Sequence, residues 1–275
     1  MDIRQYLSKK RALVDKALIQ YLPKGNKYSK LLSDAARYSV MSGGKRIRPI
    51  LALAACEAVS GSYKQAIPVA AAIEMIHTYT LIHDDLPAMD NDDIRRGKPT
   101  CHKVFGEDAA ILAGDMLNTL AFEVIADNCG NRSAQIISEL SKALGINGVV
   151  GGQMLDLRSK DRKIELARLN YISLHKTSDL FIASVRCGAI AGSAKAPEIS
   201  KLAAYARHLG LAFQIIDDIL DYRQGSRNNY PALIGMDKAN ELAGAEVRKA
   251  LMSLPGGSNF KVFKDIALFL AERKD

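Results

Sequence analysis

Apolar residues recur three and four positions apart through almost all of this chain, and alternating β-branched runs are nearly absent. A repeat near 3.6 residues buries a continuous face only as an α-helix, so the expected fold is all-α. The pattern predicts helices over residues 2–21, 29–41, 47–59, 64–86, 104–128, 132–144 with continuation to 157, 164–176, 177–191, 197–222, 237–253 and 261–273. Gly and Pro break it at "LPKGNK", "MSGGKRIRP", "SGSY", "GKPT" and "LPGGSN". No low-complexity linker divides the chain, so residues 1–275 are expected to form one domain.

Composition excludes several classes. The longest apolar stretches, such as residues 66–73, fall short of the roughly 18 residues of a membrane span, and no integral membrane segment is expected. The N-terminal stretch lacks both an apolar h-region and a small-residue cleavage site, which predicts a cytoplasmic protein. Cys56, Cys101, Cys129 and Cys187 form no CxxC pair, so neither a zinc site nor a disulfide framework is indicated. The net charge is +8, but no Lys/Arg-rich block and no Trp accompany it. No nucleic-acid partner is expected, since a base-stacking surface has little material, and composition alone does not choose between a membrane surface and an anionic small molecule.

The stretch "HTYTLIHDDLPAMDNDDIRRGKPT" attaches five carboxylates, Asp84, Asp85, Asp90, Asp92 and Asp93, to the end of an apolar helix. Asp84 and Asp90 are six residues apart and would diverge on an unbroken helix. Pro87 lacks an N–H and clashes with the His83 carbonyl, so the helix should kink or end there and return Asp90 toward Asp84. His77, two turns before Asp84, shares its face along with Thr80 and Leu81. A second cluster, "FQIIDDILDY", sets Asp217 and Asp221 one turn apart on one face, with Asp218 about 100° away. If the clusters face each other they need counterions, because two like charges at about 4 Å cost roughly 4 kcal/mol at an effective dielectric near 20. All-oxygen ligands select Mg2+, which takes one or two carboxylates and completes its octahedron with water and phosphate oxygens. A phosphorylated substrate is thereby suggested. "DNDDIRRG" is not an EF-hand loop, since Arg95 stands where that loop requires glycine.

"SGGKRIRP" sets cations beside two glycines at a helix start, an anion seat with Lys45 and Arg48 as donors, although it lacks P-loop spacing. Arg95 and Arg96 are equally suited to pair with Asp92 and Asp93. "HKTSDL" adds Lys176 and the hydroxyls of Thr177 and Ser178.

Taken in order, "GGKRIRP", "LIHDDLPAMDNDDIRRGKPT", "GGQMLDL", "HKTSDLF", "LGLAFQIIDDILD" and "YPALIG" cover most of the chain. Together they closely resemble the short-chain trans-prenyl diphosphate synthases, and the nearest likeness is to bacterial farnesyl diphosphate synthases. The resemblance implies an orthogonal α-helical bundle around a deep cavity, a homodimer, and three Mg2+ ions. It implies head-to-tail joining of isopentenyl diphosphate to dimethylallyl or geranyl diphosphate. By motif, Asp84, Asp90, Asp217 and Asp221 would hold the metals, with Asp85 assisting. Arg95, Lys176, Thr177 and Gln214 would complete the allylic site, and Lys45, Arg48, His77 and Arg96 would bind isopentenyl diphosphate. The Thr177 hydroxyl and the Gln214 amide oxygen could stabilise positive charge without attacking it.

Tyr79 and Thr80 precede Asp84 by about one turn, where a growing chain would arrive. A bulky Tyr79 beside a modest Thr80 resembles synthases that stop at C15, so farnesyl diphosphate is the expected product. Geranyl or geranylgeranyl diphosphate is the alternative, as is a non-catalytic partner subunit. A terpene cyclase or head-to-head condensing enzyme would need no basic isopentenyl site. One departure stands out. Only "YRQGSRNN" separates Asp221 from "YPAL", where the family carries a longer Gly- and Lys-rich loop.

Overall fold

A computed structural model describes residues 2–160, 162–224 and 227–273. The chain is built from helices α1 (Ile3–Tyr21), α2 (Lys30–Val40), α3 (Ile47–Ser60), α4 (Ile67–Asp84), α5 (Cys101–Phe105), α6 (Glu107–Asn128) and α7 (Ser133–Leu144). It continues through α8 (Val149–Leu157), α9 (Leu166–Ile172), α10 (Asp179–Ala191), α11 (Ala196–Leu220), α12 (Tyr230–Ile234), α13 (Met236–Ser253) and α14 (Lys261–Ala271). The all-α expectation holds.

The bundle closes around α4. Residues 68–76 of this helix are buried, so it is apolar on every side and must be surrounded. It packs against α6, α3, α1 and α10. Helix α10 is the second central element, lying against α3, α11 and α7. Gly188 of α10 sets the α3 crossing. A Cβ there would run into the backbone of Ala52, so only glycine lets the two helices approach this closely. Helix α6 is 22 residues long and apolar enough, by length and composition, to cross a membrane, and its buried face packs on α4.

Several boundaries differ from the sequence pattern, each for a local reason. The stretch 104–128 divides at Gly106, whose φ of 94° ends α5. The span 132–157 breaks after Leu144, where Gly145 has left the helical conformation, and restarts at Val149. Residues 166–191 are instead continuous, since a π-helical turn, Ser173–Ser178, joins α9 to α10. Helix α12 was not anticipated; the Asn229 side chain caps it by accepting from the Ala232 N–H. The two-stranded hairpin Ile94–Arg95/Lys98–Pro99 was not anticipated either. Arg96 and Gly97 both have positive φ (55° and 74°), the tight hairpin geometry that Asn-Gly signals more plainly than Arg-Gly.

Candidate active site

Helix α4 ends at Asp84 because Pro87 cannot donate to the His83 carbonyl; the Leu86 N–H takes that acceptor instead, at 3.2 Å. The chain then folds back. The Asp90 N–H donates to the Asp84 carbonyl at 2.8 Å, so the chain folds back after Pro87 and brings Asp90 within electrostatic reach of Asp84. Burial pushes the Asp84 carboxyl up to about 6, against the pull of Lys176 and with the push of Asp90. Lys160 Nζ reaches Asp90 Oδ1 at 2.8 Å and the Met89 carbonyl at 3.0 Å.

Asp85 points elsewhere. It is 3% exposed and accepts from Arg95 Nε at 2.5 Å, while Arg95 Nη2 also binds Asp92 at 2.8 Å. Asp85 thus orients Arg95 rather than standing free beside Asp84. Arg96 takes a different direction from its neighbour. The hairpin turn carries it to the Gly43 carbonyl, to which Nη1 donates, and Asp93 pairs with Lys103 instead.

The π-helical turn between α9 and α10 packs on α8 and α11 and presents two adjacent side chains to different partners. Lys176 Nζ lies 2.6 Å from Asp156 Oδ2 on α8. Burial works against its charge, yet Asp156, Asp84 and Asp90 outweigh that and hold the ammonium protonated more firmly than an ordinary lysine. Thr177 Oγ1 donates to Gln214 Oε1 on α11 at 2.7 Å, and Gln214 Nε2 donates to Asp218 Oδ1 at 2.8 Å. Both oxygens the sequence offered for cation stabilisation are therefore bonded to protein groups. A π-turn inside a helix is a common device for aiming functional side chains.

In the second cluster Asp221 closes α11, its N–H donating to the Asp217 carbonyl at 2.9 Å. Asp217 Oδ1 accepts from Arg273 Nη2 at 2.5 Å, and that guanidinium also covers Phe213. Asp218 has a different job, accepting from the Tyr230 N–H and so anchoring α12. Gly225 and Ser226, within the short segment after Asp221, lie outside the described residues. Asn228 ties the end of this segment to the Ser159 and Arg162 carbonyls.

The cationic turn before α3 contains a division of labour that the sequence reading missed. Arg46, with φ 52°, turns inward and is 3% exposed; it binds Glu74 at 2.5 Å, Asp15 at 3.0 Å and the Val40 carbonyl at 2.6 Å. Lys45 stays exposed and Arg48 lies in the first turn of α3. The Arg48 guanidinium covers the Phe181 ring and approaches His77 Nε2 at 3.5 Å. Burial, then the charges of Arg48, Arg96, Arg46 and Arg95, hold His77 well below 6.5, so its ring is neutral. Buried Glu74 inside an apolar helix is the signal that could have identified Arg46 as structural.

One cavity of about 350 Å³ joins these parts. Asp84, Lys176, Arg48, His77, His83 and Gln153 belong to its polar lining, as do Tyr79, Thr80 and Thr177. Met89, Val149, Met154, Leu157 and Leu180 supply apolar wall. Tyr79 is 9% exposed and meets His83 edge-on at 5.8 Å; the Thr80 hydroxyl donates back to the His77 carbonyl. Asp217 and Asp221 are not part of this lining, although Arg48 lies within electrostatic reach of Asp217. Among the described residues no three carboxylate, imidazole or thiolate side chains converge on one point. Paired oxygen donors are nonetheless what Mg2+ accepts when phosphate and water complete its shell, so the donor set fits that ion.

Residues 29–252 match the polyprenyl synthetase family model. The chain is 42% identical to the heterodimeric geranylgeranyl pyrophosphate synthase large subunit 1 of Arabidopsis thaliana, over 100% of this chain and 80% of that one. That alignment runs over 299 positions, 24 more than the 275 residues here, so this chain carries gaps against that relative. Identity to the geranylgeranyl diphosphate synthase of Cyanophora paradoxa is 48%, over 80% of this chain and 74% of the relative. Among solved structures, an FPP/GFPP synthase from Zymomonas mobilis superposes with a TM-score of 0.92 at 36% identity, covering 98% of both chains. The aspartate pair folded back by Pro87, the cations opposite and these likenesses together place the chain in the polyprenyl synthetase family, as a prenyltransferase of the short-chain trans-prenyl diphosphate synthase type.

Proposed function

We propose that this chain joins isopentenyl diphosphate head-to-tail to an allylic diphosphate, dimethylallyl or a longer homologue, in a Mg2+-dependent reaction. The observation that carries this reading is the single cavity with Asp84, Lys176, Arg48 and His77 at its polar lining and apolar side chains over much of the remaining wall. Asp84 and Asp90, with Asp217 and Asp221, are the residues to hold Mg2+, which when bound neutralises charge developing on the leaving pyrophosphate.

The chain's own groups do the rest. Lys176, kept charged by three carboxylates, stabilises the departing diphosphate, and Arg95, oriented by Asp85, joins it. Lys45, Arg48 and Arg96 bind the second diphosphate, with neutral His77 as a hydrogen-bonding neighbour. The apolar wall excludes water that would capture an allylic cation. The pyrophosphate released at the first step is the acceptor for the proton lost at the end.

The curated relatives bear their geranylgeranyl names at 42% and 48% identity, and they support C20 as the product rather than the farnesyl expectation. Farnesyl diphosphate is the second reading, favoured by the bulk of Tyr79 in the cavity wall. A homodimer belongs to the same reading, and the exposed apolar side chains Ile111 and Leu112 of α6 are material for a partner to cover. Incubation with isopentenyl diphosphate and each allylic starter, with and without Mg2+, followed by chromatography of the products, tests the whole reading. Absence of Mg2+-dependent condensation with every starter refutes it; the product length decides between C20 and C15.

A further inference from the structure

Lys160 follows α8 and reaches across to the first acidic cluster, 71 residues away at Met89. Its Nζ donates to the Met89 carbonyl at 3.0 Å and stands 2.8 Å from Asp90 Oδ1. That carboxylate oxygen is sealed from solvent and receives no aligned hydrogen bond, so the contact is one of charge alone. The other cations of this cluster are placed differently. Lys176 lies against Asp156, and Arg95 against Asp85 and Asp92, none of which belongs to the four aspartates proposed to hold Mg2+. Lys160 pairs with one of those four.

The backbone beneath Lys160 is pinned. Ser159 is 1% exposed, and its hydroxyl donates to the Leu155 carbonyl at 2.6 Å while accepting from Arg168 Nε at 2.9 Å. Asn228 Nδ2 donates to the Ser159 carbonyl at 2.7 Å and to the Arg162 carbonyl at 2.9 Å. Asn228 itself has φ 54°, a left-handed conformation that asparagine tolerates better than most residues. One asparagine thereby ties the short segment before α12 to the segment that carries Lys160. An ordered base of this kind reduces the entropy lost when the ammonium engages a ligand.

We propose that Lys160 is a further ligand of the allylic diphosphate, paired with Asp90 and passed to the diphosphate when that carboxylate turns to Mg2+. The role rests on the proposed function. Met89, whose carbonyl Lys160 bonds, and Leu157, to whose carbonyl the Lys160 N–H donates, both line the cavity. Mg2+ takes carboxylate and phosphate oxygens together, so an ammonium at Asp90 stands close to both. The side chains of Lys160 and Asp90 are 43% and 23% exposed, which makes their pairing weak enough to yield to a divalent ion. Lys160 then exchanges a carboxylate oxygen for a phosphate oxygen and forms no covalent bond.

The test compares the parent with Lys160→Met, which keeps the length and loses the charge, and Lys160→Arg, which restores the charge. Calorimetry measures the Kd of geranyl thiodiphosphate, an unreactive allylic analogue, in the presence of Mg2+. Paramagnetic resonance measures binding of Mn2+ alone, and KM for isopentenyl diphosphate and Tm are recorded beside them. The Met variant should bind the thiodiphosphate about tenfold more weakly and the Arg variant within about threefold of the parent. KM for isopentenyl diphosphate and Tm should not move. Mn2+ alone should bind the Met variant at least as tightly as the parent, because the ammonium no longer competes for Asp90. A thiodiphosphate Kd within about twofold of the parent in Lys160→Met overturns the role. So does weaker Mn2+ binding, or an equal loss for both diphosphates with a lower Tm, since either makes Lys160 a support for the fold. A parent that condenses nothing refutes the proposed function, and one that also fails to bind the thiodiphosphate refutes this role with it.

Discussion

Removing the buried carboxylate of Glu74 is expected to be among the most damaging single changes outside the cavity. Its ion pair with Arg46 spans 2.5 Å, and both side chains are 1% exposed. Breaking one side of such a pair leaves a desolvated charge and costs about 3–5 kcal/mol. Asp15 and the Val40 carbonyl still hold the guanidinium, so Glu74→Leu should fall near the lower bound, about 3 kcal/mol. At about 2–4 °C per kcal/mol that is a Tm loss of roughly 6–12 °C. The pair also holds Arg46 in a left-handed conformation that by itself costs about 1–2 kcal/mol. Loosening it should displace Lys45 and Arg48 and raise KM for isopentenyl diphosphate. Arg46→Met combined with Glu74→Leu removes both charges and should recover most of the loss, so the double variant is far more stable than the sum of the singles in a double-mutant cycle. Urea denaturation followed by far-ultraviolet circular dichroism measures all four proteins. A Glu74→Leu protein within about 1 kcal/mol of the parent, or a double variant as unstable as the sum of the singles, refutes the reasoning.

Gly188→Ala forces a methyl group into the Ala52 backbone and should lower stability by about 1–3 kcal/mol; calorimetry showing an unchanged Tm would remove Gly188 as the reason α3 and α10 approach so closely. His77 is kept neutral in the fold, whereas the unfolded chain gains a proton near pH 6.5. Its contribution is therefore absent above that pH and destabilising below it, by up to about 1.4 kcal/mol per pH unit. His77→Gln should flatten the acid limb of the stability curve by one proton, and parallel curves for parent and variant would contradict this. Tyr79→Ala should open the cavity wall and lengthen the prenyl product, read by chromatography; an unchanged product would assign the limit to another wall residue.

The sequence by itself determined the all-α class and the end of α4, because periodicity and a proline act locally. Apolar spacing of three and four can be buried only by helices, and Pro87 cannot donate to His83 whatever surrounds it. It also brought Asp84 together with Asp90 and separated Asp218 from Asp217. Long-range partners were beyond its reach. Neither Arg46 with Glu74, 28 residues apart, nor Lys176 with Asp156, 20 residues apart, follows from any local pattern. The four arginines in "KRIRP" and "IRRG" look alike as letters, yet packing sends Arg46 inward, ties Arg95 to Asp85, turns Arg96 to the Gly43 carbonyl, and leaves Arg48 on the cavity. Thr177 and Gln214 likewise meet across 37 residues, and Gly152 lets α8 close in on the π-helical turn. Hydrogen-bond satisfaction is a property of neighbours in space, and only the tertiary fold supplies them.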